Sequence, residues 1–258
     1  KQASIEYYHS PYIDYVISTF MFLSGINFTL LLLMFNGKIK KFIHDAELKF
    51  YFLCVSFFTI FIAVWLHQTS SISIEEAFRK SLFQVISLQT STGFATADYI
   101  PWGPFFWLIA LLLMIICGCS GSTVGGLKTG RFVILVKSLM NEFKKQTHPH
   151  AVIPVRMDGH AVSVDIVRRV LVFSFVYVFM IVVSCFLLMF NGVGFEEAIG
   201  SSVSCASNSG PGLGTVGPVS NYSGLPDFSK WVLSFLMMTG RLEIFTVLSL
   251  FLPGFWKQ

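Results

Sequence analysis

Thr90-Ser91-Thr92-Gly93-Phe94 and Ser207-Asn208-Ser209-Gly210-Pro211 are two glycine-centred polar stretches, each set between long apolar runs. Backbone that leaves a helix inside hydrocarbon is tolerated only where it is buried in protein or lines a water-filled path. Carbonyls facing such a path can replace the hydration shell of a cation. Gly93 and Gly210 can adopt positive φ, which lets successive carbonyls face one way. Neither stretch contains Asp or Glu. Neutral carbonyls suit a monovalent cation that must also leave, whereas a carboxylate ring favours divalent ions. The occurrence of two such stretches points to an ion path built by repetition; a pair of plain re-entrant turns is the other reading of the same residues.

The surroundings are those of a membrane protein. The chain is 54% hydrophobic and only 12% charged, where soluble domains carry about 25% charge. Mean hydropathy is +0.69, and Phe alone contributes 28 residues. Apolar runs approach the ~20 residues that cross a bilayer. Spans are expected at about Tyr12–Phe35, Phe50–Leu66, Ile166–Phe190 and Trp231–Phe251, with Asn36-Gly37 and Asn191-Gly192 as helix stops. Another apolar run, Phe105–Ile116, breaks into the Gly- and Ser-rich Cys117–Gly126 and resumes as Leu127–Leu139.

Each polar stretch is preceded by a segment too short to span, Ala77–Gln89 and Phe195–Ala206. Ser73 with Glu76 three residues on fits a capping box at the start of the first. The order span, short helix, polar loop, span thus occurs twice, from Phe50 to Leu139 and from Ile166 to Trp256. Both copies carry Glu-Glu-Ala near the short helix, at Glu75-Glu76-Ala77 and Glu196-Glu197-Ala198. Internal repeats in membrane proteins commonly meet at the transport site.

The net charge of +4 does not imply nucleic acid, because the basic residues sit in particular loops. Lys38–Lys49 holds four, and Lys128–Arg169 holds eight against three acids. The positive-inside rule makes both segments cytoplasmic and both polar stretches external. Asn141–Asp165, with Pro149 and Pro154, belongs outside the membrane. Cys54, Cys117, Cys119, Cys185 and Cys205 lie in or beside apolar segments and read as packing thiols, with Cys117-x-Cys119 as a metal pair the weaker reading. His67, His148, His150 and His160 receive no role. Nothing in the sequence has the pattern of a nucleophile with its base, a metal cluster or a nucleotide-binding glycine loop, so an enzyme is not expected.

Four motifs in order carry a family resemblance: Thr90–Phe94, the stretch from Gly118 to Arg131 (Gly-Cys-Ser-Gly-Ser-Thr-Val-Gly-Gly-Leu-Lys-Thr-Gly-Arg), Asn208–Gly214, and Gly240-Arg-Leu-Glu-Ile-Phe245. Together they resemble the TrkH/TrkG/KtrB potassium-uptake family over essentially the whole chain. The resemblance implies an all-α polytopic membrane protein of repeated span–pore-helix–filter-loop–span units, four in the family, of which this chain matches the C-terminal half. Residues 1–49 would be the outer span of the second repeat, where Ser24–Phe28 matches a small-residue stretch, plus a cytoplasmic loop. Residues 50–140 would be the third repeat with an intramembrane loop at 117–126, residues 141–163 a cytoplasmic linker, and residues 164–258 the fourth repeat. Thr90, Ser91, Thr92 and Gly93 would then supply the third filter segment, and Ser207, Asn208, Ser209 and Gly210 the fourth, binding K+ through backbone carbonyls. The intramembrane loop, with Gly118, Gly121, Gly125 and Gly126, would gate the path; a packing kink is the other reading of those glycines.

A charge inside Trp231–Phe251 costs about 2.5 kcal/mol or more at mid-membrane, so Arg241 is functional, paired or snorkelling. The resemblance places it beneath the filter, holding the loop and repelling a second cation. Glu243 is expected to meet another helix or the cytoplasmic interface, because residues two apart on a helix point away from each other. Lys128 and Arg131 read equally as positive-inside anchors or as gate neighbours. The resemblance further implies a bacterial plasma (inner) membrane location, the N-terminal half of the same protein as neighbour, and a homodimer. It also implies a cytoplasmic nucleotide-binding regulatory subunit of the TrkA/KtrA kind, for which Lys137–Arg169 is a candidate docking surface; a solvated loop is the plainer reading. No cofactor is expected. The residues leave open a Na+-permeable member of the superfamily, and a secondary transporter with discontinuous helices binding a solute at Cys117–Gly126 and Ser207–Gly214.

Overall fold

The computed structural model describes residues 4–148, 151–242 and 244–257. Glu243, whose partner the sequence left to be found, lies outside these residues. The first expected span is two helices, α1 (Pro11–Ser24) and α2 (Phe28–Phe35), bent by 103°. The bend has causes, one distant and one local, that the apolar run conceals. A Cβ on Gly25 would sit 2.5 Å from the Tyr51 hydroxyl and 2.9 Å from Thr90 Cγ2, so other elements crowd the chain here. Asn27 then starts a new helix, its side chain accepting from the Thr29 N–H at 2.8 Å. The single span over Tyr12–Phe35 is therefore corrected to a broken one.

After α3 (Ile39–His44), helix α4 (Ala46–Thr69) begins with Asp45 accepting from the Leu48 N–H at 2.8 Å. Its 24 residues make it about 36 Å long, enough to cross ~30 Å of hydrocarbon. Helix α5 (Ile74–Gln89) turns back along it. Half of the expected capping box is present: Ser73 Oγ accepts from the Glu76 N–H at 3.2 Å, while the Glu76 carboxylate pairs with Lys80 at 2.7 Å. Helix α6 (Pro104–Ile115) opens on proline and gives way to β1 (Ile116–Cys117). That pair runs parallel to β2 (Leu127–Lys128), so Cys117–Gly126 is a loop closed at its root. Pairing of Leu127 and Lys128 delays α7 to Thr129, and it continues to Thr147, past the expected Leu139.

A hairpin follows, β3 (Arg156–Met157) with β4 (His160–Ala161). Helix α8 (Val164–Phe190) is the second helix long and apolar enough to cross a membrane, and α9 (Phe195–Ser207) again turns back. Helix α10 (Asp227–Arg241) ends earlier than the expected span, and α11 (Ile244–Ser249) follows it. By length and composition two described helices can span, or three if α1 and α2 count as one.

Both short helices are packed among several others. α5 packs on α4, α1 and α6, while α9 packs on α8, α10 and α6. The outer faces of α4 and α8 expose rows of large apolar side chains, among them Phe52, Phe57, Phe61, Phe175, Phe179 and Phe186. Surfaces so apolar and so extended need a lipid or protein cover. The Ala46 N–H donates to Asp158 Oδ1 at 2.8 Å, so the two basic segments meet at the end of the molecule where α4 begins.

Candidate functional site

The polar loops are the closing turns of α5 and α9, and they fold alike. At the end of α5 the Thr92 N–H bonds the Ser87 carbonyl at 3.0 Å and the Ser91 N–H bonds Leu88 at 3.3 Å. At the end of α9 the Ser209 N–H bonds Ser204 at 2.9 Å and the Asn208 N–H bonds Cys205 at 3.2 Å. These are the paired bonds of a Schellman cap, which requires a left-handed residue in the turn. Ser91 (φ 52°) and Asn208 (φ 57°) are those residues. The same cap, with glycine in the turn, closes α2 and α8: the Lys38 N–H reaches Leu33 at 2.9 Å and the Val193 N–H reaches Leu188 at 3.2 Å.

The polar loops then depart from an ordinary helix stop. Two residues beyond the cap, Gly93 (φ 76°) and Gly210 (φ 104°) take a second positive φ, while Thr92 and Ser209 keep negative values. Alternating hand along a short stretch is a conformation that can turn successive peptide planes to one side. Side chains brace each turn identically. Thr90 Oγ1 donates to Ile86 O at 2.8 Å and lies 2.7 Å from Thr92 Oγ1. Ser207 Oγ donates to Val203 O at 2.9 Å and lies 2.9 Å from Ser209 Oγ.

The loops touch directly. Ser91 Oγ donates to Ser207 O at 2.9 Å, and Ser209 Oγ donates to Leu88 O at 3.4 Å. Tyr222 donates its hydroxyl to Gly210 O at 2.8 Å, and Tyr99 donates to Gly212 O at 2.9 Å. The open end of α5, about half a negative charge by its dipole, and that of α9 therefore converge on one spot with no carboxylate in either loop.

The Cys117–Gly126 loop packs against this pair. A Cβ on Gly125 would stand 2.7 Å from Ser207 O, and one on Gly118 would stand 2.9 Å from Gly25 O. Cys119 donates its N–H to Gly25 O at 2.8 Å. Gly121 and Gly126 take positive φ within the same loop. Cys117 is fully buried, and Ser91 Oγ lies 3.8 Å from its sulfur. Arg241, at the end of α10, donates a guanidinium N–H to Thr123 O in the loop. The two polar loops, the Cys117–Gly126 loop and Arg241 thus gather in one region.

Sequence reasoning missed Glu47, which counts there merely as an acid in a basic loop. Its carboxylate is buried, and Oε1 accepts from the N–H groups of Ser120 and Gly130 at 2.5 and 2.6 Å. No local signal distinguishes it from a solvated first-turn acid, because both partners are about eighty residues away in sequence. Arg131, left open between anchor and gate neighbour, has its guanidinium carbon 3.9 Å from the centre of the Phe173 ring.

The geometry has counterparts among known proteins. A family profile described as cation transport protein, TrkH, matches residues 1–257. The Trk system potassium uptake protein TrkH of Escherichia coli (strain K12) is 35% identical over 263 residues, covering 99% of this chain and 53% of that protein. TrkG of the same organism is 33% identical, covering 99% and 52%. TrkI of Halomonas elongata is 31% identical, covering 98% and 51%. The crystal structure of the potassium transporter TrkH from Vibrio parahaemolyticus aligns with a TM-score of 0.91 at 32% identity, over 99% of this chain and 55% of that one. The chain spans about half the length of the curated relatives it matches. Helical membrane architecture, matched over nearly every residue, and a profile match from end to end give one conclusion: the chain belongs to the TrkH family of cation transport proteins.

Proposed function

We propose that this chain supplies two adjoining quarters of the filter in a potassium uptake protein. The observation that carries the reading is the equivalence of the two capped loops: the same bonds, the same alternation of φ, and direct contact between them. Ions cross at the carbonyls of Thr90–Gly93 and Ser207–Gly210. Cys117–Gly126 is the gate beneath them, with Gly118, Gly121, Gly125 and Gly126 fitting it closely and Arg241 holding it through Thr123. Residues 50–140 and 164–258 act as the two repeat units, with 1–49 as an outer span plus loop and 141–163 as the linker. The basic segments face the cytoplasm and the filter loops face outward across the bacterial plasma membrane. The N-terminal half of the full-length protein completes the ring, a second copy makes a dimer, and a nucleotide-binding subunit docks on the cytoplasmic face.

The test is uptake by the full-length protein in cells lacking other potassium uptake systems. Growth at low K+ is expected, with K+ preferred to Na+. Shortening the 118–126 loop, or Arg241→Ala, is expected to raise flux. Saturating, obligatorily coupled solute transport with no K+ current would favour the secondary-transporter reading, and equal K+ and Na+ flux the Na+-permeable one. Loss of all flux at normal expression in the shortened variant would make the loop a packing element.

A further inference from the structure

We propose that Glu47 is a positioning residue: one carboxylate oxygen clamps both the body and the root of the Cys117–Gly126 loop. Ser120 lies inside the loop and Gly130 just past it, in the first turn of α7, and Oε1 accepts from both N–H groups at 2.5 and 2.6 Å. The fit excludes any larger residue at 130, where a Cβ would stand 2.8 Å from that same oxygen and 2.7 Å from Ser120 Oγ. Glu47 is 8% exposed, and among the described residues no Lys or Arg forms an ion pair with it. Its charge is therefore met by amide dipoles, one of them at the positive end of a helix. Bonds of this charge-assisted kind are about twice as strong as neutral ones.

The clamp is itself held from the solvent side. Asp158, at the turn of the β3–β4 hairpin, accepts from the N–H of Ala46, the residue before Glu47, at 2.8 Å. Lys137 of α7 donates to Arg156 O in the same hairpin at 2.8 Å. The hairpin is thus tied to both sides of the clamp, to the first turn of α4 through Asp158 and to α7 through Lys137.

Cys119 offers a direct readout, being a native, fully buried thiol beside Ser120. In purified full-length protein, N-ethylmaleimide labelling of Cys119 is mapped by mass spectrometry against Cys54, which is buried midway along α4. Glu47→Ala is expected to raise the Cys119 rate about tenfold, the factor that about 1.4 kcal/mol of lost restraint produces, and to leave Cys54 unchanged. Glu47→Gln keeps an acceptor without the charge and is expected to give about a threefold rise; it decides the matter alone if the alanine variant does not fold. An unchanged Cys119 rate, or an equal rise at Cys54, overturns the clamp. A second arm rests on the reading of the loop as a gate: Glu47→Ala is expected to raise K+ flux without changing K+/Na+ selectivity, as loop shortening does. If shortening does not raise flux, the gate reading fails and labelling still decides the clamp. If shortening raises flux but Glu47→Ala does not, Glu47 has no positioning role in gating.

Discussion

At the end of α5, a Cβ on Gly93 would stand 2.3 Å from the Ser209 carbonyl oxygen; at the end of α9, a Cβ on Gly210 would meet only the Cα of Gly93, at 4.0 Å. The two glycines share a backbone conformation but not an environment. Gly93 is required twice over, by its φ of 76° and by the neighbouring loop, whereas Gly210 is required by its φ of 104° alone. Each loop is therefore shaped by its own helix cap and then confined by whichever loop it leans on. In the proposed four-part ring, the free side of Gly210 is where a further loop belongs.

Substituting the glycines is the strongest way to break this comparison. Gly93→Ala combines a strained φ with overlap on a backbone oxygen, at a cost of roughly 3 kcal/mol. K+ uptake by the full-length protein should fall at least tenfold, with selectivity over Na+ relaxed. Gly210→Ala carries the φ strain alone, about 1 kcal/mol, and should be clearly milder in the same transport assay. Equal losses would mean that Gly210 is packed against another segment in the full-length protein. Unchanged flux and selectivity in both variants would remove these loops from the ion path.

The left-handed turn residues come next. Asn is tolerated in that conformation because its side chain bonds locally, and Asn208 Nδ2 also donates to Met237 O at 3.2 Å. Asn208→Ala removes both supports and should lower thermal stability by about 1–2 kcal/mol. Ser91 has no such intrinsic preference and is held by its bond to Ser207 O, so Ser91→Ala should cost about 1 kcal/mol. A larger loss from Ser91→Ala would show that contact between loops, rather than the cap, fixes the turn.

What could be read in the sequence was whatever is local. Ser73 and Glu76 announce their helix, Asn36-Gly37 and Asn191-Gly192 announce their stops, and the small polar loops announce a departure from helix. Features that depend on distant partners were silent. Gly25 looks like any small residue in an apolar run until Tyr51 and Thr90 are seen against it. Glu47 looks like a solvated acid until Ser120 and Gly130 close on it. The break of the apolar run at Cys117–Gly126 was legible, but its parallel root was not, because a two-residue ladder has no periodicity to detect.

The smallest expected effect concerns how each loop's exit is fastened. In the first, the Phe94 carbonyl accepts from Ser87 Oγ at 2.5 Å, a tie made within the α5 turn that precedes the loop. In the second, the Gly210 carbonyl accepts from the hydroxyl of Tyr222, twelve residues on in the connection to α10. The first tie depends only on its own helix cap, whereas the second transmits the position of the connecting segment. Each hydrogen bond contributes about 1 kcal/mol, so Ser87→Ala and Tyr222→Phe should lower stability by similar amounts. Their transport effects should differ. Tyr222→Phe frees a carbonyl of the proposed filter itself and should shift the K+/Na+ ratio several-fold, about what 1 kcal/mol produces. Ser87→Ala releases a carbonyl one residue beyond Gly93 and should leave the ratio nearly unchanged. A selectivity change confined to Ser87→Ala would reverse the assignment, making Phe94 O part of the ion path and Gly210 O part of its scaffold.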